Sequence, residues 1–248
     1  VIYIVKKFYI LKLEPGEGAL SMNHVKVVLS MGIPMGLQYS ITAIGSVILQ
    51  AAVNGLGAIT VAAVTAGSKI SSFCVAVTDA LGATMATYCG QNVGAGKLDR
   101  VKEGVRVATI IGIIYAVLVF VFMIFIGGEL PKLFVDASKS DVIRQARLFL
   151  LWNSGFYFAL IFVNVWRNSI QGMGFPMFAI LSGVCEMFAR GIVGFVGVKY
   201  FGFVAACMGS PLAWIVADMF LIPGFMYCIR RLRKLFAKRE PVETLKYE

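Results

Sequence analysis

The sequence predicts an all-α polytopic membrane protein with six transmembrane helices, and three observations carry that reading. Of 248 residues, 59% are apolar and only 15% are charged, where a soluble domain has about 45–50% and about 25%. The mean hydropathy is +0.83. Apolar runs long enough to cross a bilayer recur between short clusters of Lys and Arg. So much apolar side chain cannot be hidden inside a globule of this size, and a disordered chain is poor in such residues.

A span needs about 20 mostly apolar residues. No charge occurs between Lys26 and Lys69, a stretch too long for one span. Asn54-Gly55-Leu56-Gly57 divides it as a turn does. The first segment is therefore about 27–53, and the second runs from Ala58 to about Gly90 with Lys69 and Asp79 inside it. The third, Val107–Gly128, and the fourth, Leu148–Trp166, are uncharged. The fifth, about 176–198, contains Glu186 and Arg190, and the sixth, about 203–229, contains Asp218. Residues 1–8 read as the tail of a preceding transmembrane helix, because VIYIVKKFYIL is too short to span and lacks the cleavage site of a signal peptide. Residues 27–229 form the membrane unit and 230–248 a basic cytoplasmic tail.

The net charge of +10 does not indicate nucleic acid. The basic clusters coincide with segment ends and form no stripe interleaved with aromatics. Lys/Arg bias instead sets orientation. Residues 1–26, the connection with Lys97, Arg100, Lys102 and Arg106, the connection with Arg167, and the C-terminal tail fall on one side and outweigh the other. Both ends are thus expected in the cytoplasm of a cell membrane, with the lipid bilayer as the surrounding partner. The five cysteines lie in or beside apolar runs without CxxC spacing, and His24 stands alone. They read as packing residues, with no metal site and no cofactor. GxSxG, HExxH and phosphate-loop motifs are absent, so no enzyme site is expected.

Charge inside a span faces a bundle interior or a cavity. At about 1.5 Å per residue, Lys69 and Glu186 each come out about 15–17 Å deep, near the midplane of a core about 30 Å thick. Asp79 falls near the cytoplasmic interface, and ten residues of helix point it away from Lys69. Glu186 and Arg190, spaced i,i+4, can pair, as a structural ion pair or as part of a cation path. Lys69 is either a structural tie or a substrate-site group. Asn164, Asn168 and Gln171 share one face of the fourth segment, as do Gln38, Thr42, Ser46 and Gln50 on the first. Each face is either interhelical glue or the wall of a hydrated cavity. Pro34, Pro211 and Pro223 are places where a helix can bend.

Several strings carry a family resemblance: Gly32-Ile33-Pro34-Met35-Gly36-Leu37-Gln38, Asn54-x-Leu56-Gly57, Ala86-Thr87-Tyr88-x-Gly90-Gln91-Asn92-x-Gly94-Ala95-Gly96-Lys97, Arg167-Asn168-x-x-Gln171-Gly172-Met173-Gly174, and Glu186-x-x-x-Arg190. In this order the chain resembles the C-terminal half of a bacterial multidrug and toxic compound extrusion (MATE) transporter. The resemblance implies a twelve-helix antiporter of two six-helix lobes around a cleft, exporting cationic or amphiphilic compounds in exchange for Na⁺ or H⁺. It makes the six spans the second lobe, residues 9–26 the cytoplasmic inter-lobe linker, and the N-terminal lobe of the same polypeptide the absent partner. Acids that some members carry are missing: Thr42 and Leu160 stand in those regions. Lys69 and Glu186 are expected to face the cavity together. Two other readings stay open: a lipid-linked oligosaccharide flippase of the same superfamily, and a half-size homodimeric membrane subunit.

Overall fold

The computed structural model describes residues 21–244, with side chains through Ala237. The expected preceding-helix tail and most of the linker lie outside these residues. Eight α-helices follow in chain order among the described residues: α1 (Met22–Asn54), α2 (Ala58–Gly94), α3 (Leu98–Ile126), α4 (Ser140–Gly155), α5 (Tyr157–Gly172), α6 (Pro176–Ile192), α7 (Val198–Phe201) and α8 (Phe203–Thr244). A 3₁₀ turn, Leu130–Leu133, precedes α4, and one π-helical turn, Val193–Gly197, joins α6 to α7. Among the described residues, 21–33 fall in one compact unit and those from Pro34 in another.

Five of the helices are long and apolar enough to cross a membrane, and the bent pair α4–α5 makes six. The fold class is therefore the expected one, although several ends move. α1 starts at Met22, inside the expected linker. α3 begins at Leu98, nine residues before the apolar run, because a helix continues past the lipid boundary wherever its backbone bonds can. The expected tail is helical as far as Thr244. The fourth span is corrected most: it is two helices meeting at 48° beside Phe156. Ser154-Gly155 immediately precedes the break, and Gly/Ser pairs are a recognised cause of kinks.

Glycine sets the tight turns. Gly57, with φ 96°, ends the α1–α2 turn, and Gly96, with φ 71°, ends the next one; side chains with a Cβ avoid this region. Pro34, Pro211 and Pro223 lie within helices that continue through them.

The packing order follows from residue size. α5 is central, burying Tyr157, Ile161, Val163, Val165 and Ile170 almost completely. It packs against α2, α3, α6 and α8. α3 shows the inside-out pattern of a lipid-facing helix. Ala108, Gly112 and Ala116 point inward, while Ile110, Ile114, Leu118 and Phe125 are exposed. Small inward residues let helices approach in a medium where burial of apolar surface gives no driving force. At Gly172 any side chain would run into the Ala86 carbonyl, so the backbones of α2 and α5 are in direct contact there.

Candidate functional site

The polar residues of the spans separate into an interior cluster and an open stripe. The interior cluster begins on α6, where one helical turn brings Glu186 and Arg190 onto the same face. Arg190 Nη2 lies 3.1 Å from Glu186 Oε2. The other carboxylate oxygen pairs with Arg167 of α5. Arg167 Nε also donates to Ser182 Oγ at 2.9 Å, and that hydroxyl donates to the Ala179 carbonyl. Glu186 is 2% exposed, Arg190 5% and Arg167 7%. This is a sealed Arg–Glu–Arg group between two helices. Arg190 Nε and Nη1 find no partner among the described residues, and neither does Oδ1 of Asp218 on α8, which lies within electrostatic range of Arg167 and Glu186.

Two sequence expectations change here. Arg167 belongs to α5 and to its buried face, not to the connection after the fourth span, because Glu186 compensates its charge. Glu186 does not share a cavity-facing surface with Lys69: its carboxylate is enclosed by the two guanidiniums. Arg167 carried a legible signal, since it stands three residues after Asn164 and four before Gln171 on the same polar face.

α5 also reaches toward α2. Asn164 Nδ2 donates to Thr78 Oγ1 at 2.8 Å and to Asp79 Oδ1 at 3.0 Å. Asn168 Nδ2 donates to the Asn164 carbonyl at 2.8 Å and packs over Gly82, where an added Cβ would come 2.6 Å from it. Gln171 Nε2 donates to Gln38 Oε1 of α1 at 3.3 Å. Both glutamines are buried. Along α1 the face then opens outward. Thr42 is half-buried, its hydroxyl donating to the Gln38 carbonyl at 3.0 Å, and Ser46 and Gln50 are exposed.

The open stripe runs along α2. Thr65, Ser68, Lys69, Ser72, Ala76, Asp79, Ala83 and Thr87 are all exposed. Their spacing of three and four places them on one broad helix face; Lys69 and Asp79, expected to point apart, are about 80° apart and stand toward its two edges. No large apolar residue lies on that line; Phe73 and Val77 flank it on one side only. Lys69 forms no ion pair among the described residues, and its ammonium lies 5.9 Å from the centroid of the Phe134 ring. Asp79, held by Asn164, is within electrostatic range of Arg167. One carboxylate therefore touches the open face and, through α5, the edge of the sealed cluster.

A bundle of membrane-length helices with a sealed internal ion cluster and a polar exposed stripe defines a polytopic membrane protein. The MatE family pattern matches residues 34–196, well over half of the sequence, and the chain belongs to that family of membrane transporters. The Probable multidrug resistance protein YpnP of Bacillus subtilis (strain 168) is 30% identical over 155 residues, covering 62% of this chain and 34% of that protein. The FAD transporter of Shewanella oneidensis (strain MR-1) is 21% identical over 154 residues, again 62% of this chain and 34% of its own length. Among solved structures, a MOP superfamily transporter from Pyrococcus furiosus Vc1 (DSM3638) shares the fold. Its TM-score is 0.72 at 21% identity, over 79% of this chain and 43% of that one. The matched part thus spans about a third of the curated relatives' length. The chain is a partial MATE transporter, consistent with one lobe.

Proposed function

We propose that this chain is the C-terminal lobe of an antiporter that exports cationic or amphiphilic compounds in exchange for Na⁺ or H⁺. The open stripe of α2 carries the reading. Where α3 and α6 expose large apolar residues such as Ile114, Leu118 and Phe188, a line of Ser, Thr, Ala, Lys and Asp faces water rather than acyl chains. We place it on the wall of the cleft between this lobe and an N-terminal one. In this reading Asp79 attracts the cargo's positive charge and Lys69, about 15 Å further along α2, limits how many cations the cleft holds. The coupling ion competes for the same negative potential, and its differing affinity in the two facing states drives exchange. Both ends of the chain are placed in the cytoplasm, and the lobe in the cell membrane.

The test uses the complete transporter in proteoliposomes loaded with ethidium. The expected result is saturable efflux that appears with an imposed Na⁺ or H⁺ gradient and falls about tenfold in Asp79→Asn, the size of one lost charge-assisted contact. Efflux indifferent to both gradients would overturn the antiport reading. A second reading, an anionic cargo bearing a pyrophosphate, is favoured by the unpaired ammonium of Lys69 and by the FAD-transporting relative. It requires FAD uptake by the same vesicles, lost in Lys69→Ala and kept in Asp79→Asn.

A further inference from the structure

At the end of the lobe where α3 begins and the apolar part of α8 stops, a cavity of about 320 Å³ opens between the two helices. Its rim is cationic: Lys102 from the second turn of α3, and Arg230 and Arg233 one turn apart on α8. Its floor is aromatic. Trp166 and Phe225 meet edge to face with centroids 5.0 Å apart, and the indole N–H donates to Thr109 Oγ1 at 3.2 Å, which fixes the ring. Ile229, buried in the core, closes the inner wall, and Met226 forms the outer, exposed one.

We propose that this cavity is a binding site for an anionic glycerophospholipid, with the phosphate held by Lys102, Arg230 and Arg233 and the upper acyl segment lying on Met226. Three features select that ligand. The cations stand at the level where both helices change from apolar to charged sequence, which is where phosphates of a bilayer lie. The apolar wall opens at Met226, 47% exposed, onto the outer surface of α8; a soluble anion has no use for it. A fixed tryptophan at this depth is the side chain that interfaces favour. The opposing charge is also identified: Asp99, 91% exposed, lies 3.2 Å from Arg233 and 3.9 Å from Lys102. An arriving phosphate competes with it. The inference is independent of what the transporter carries.

The complete transporter, purified in detergent and equilibrated with equal amounts of cardiolipin and phosphatidylethanolamine, is measured by native mass spectrometry for retained lipid. Wild type is expected to retain cardiolipin over phosphatidylethanolamine by about fivefold or more. The triple variant Lys102→Gln, Arg230→Gln, Arg233→Gln should bring that ratio to about one. Asp99→Asn, a change at an exposed position that leaves the fold intact, should raise the ratio. Equal retention of the two lipids by wild type overturns the proposal. So does a triple variant that keeps the preference, a ratio in Asp99→Asn at or below wild type, or displacement of cardiolipin by millimolar inorganic phosphate.

Discussion

The ionisable residues inside the spans fall into two regions that share a sequence signature and differ in surroundings. Arg167, Glu186 and Arg190 are closed between α5 and α6, each less than a tenth exposed. Lys69 and Asp79 lie on the open face of α2. In the first region each charge is met by an opposite one, and Arg167 also by the Ser182 hydroxyl, so its energy depends on the integrity of a network. In the second, one amide and one aromatic ring are the neighbours, which leaves the charge available to something that arrives. A charge in a membrane helix is therefore informative only once its neighbours on other helices are known.

Removing the centre of the sealed region should have the largest effect. Glu186→Ala leaves two buried guanidiniums without a counter-charge, and stability should fall by about 3–5 kcal/mol, seen as loss of folded protein on gel filtration. If Glu186→Ala folds as wild type does, the region is not a network. The next effect is steric. Gly172→Ala drives a methyl group into the Ala86 backbone and should cost about 1–3 kcal/mol, while Gly191→Ala, with nothing within 4 Å, should be neutral or up to about 1 kcal/mol stabilising through helix propensity. Thermal melts of the pair give opposite signs. Asn164→Ala, which removes the bridge between the regions, should cost about 0.6–1.7 kcal/mol, the range of interhelical hydrogen bonds in membranes. Smallest in stability are Lys69→Ala and Asp79→Asn, each expected within about 0.5 kcal/mol, although both should change transport. A large melting shift in either would move that residue from the open group to the structural one.

Much of this was legible in the residues and some was not, for reasons tied to particular positions. The Asn54–Gly57 turn could be read because glycine and an interrupted apolar run coincide there. The Glu186–Arg190 pair could be read because both partners lie on one helix, where spacing alone determines proximity. Arg167 was misplaced because an arginine at the edge of an apolar run ordinarily ends it. What keeps it inside is a carboxylate nineteen residues later on a different helix, a tertiary fact. The bend at Phe156 had a local sign in Ser154-Gly155, but the uncharged run from Leu148 to Trp166 hid it. The open stripe of α2 is the least visible feature. Its residues are recognisable as small and polar, yet only packing tells which of α2's faces is left uncovered.

The sealed cluster also has a consequence for biogenesis. α5 leaves the ribosome before α6, so Arg167 reaches the translocon ahead of Glu186, nineteen residues behind it. An unpaired arginine opposes insertion, by up to about 2.5–3.5 kcal/mol at a helix centre and less toward an end, where Arg167 stands, and the charges of the next helix burden it in the same sense. The turn at 173–175 between them is short, so α5 and α6 are suited to enter the bilayer together as a hairpin with the charges already matched. The partner of Arg167 thus lies in the segment synthesised immediately after it, and the lobe depends on that order of arrival before it has anything to transport.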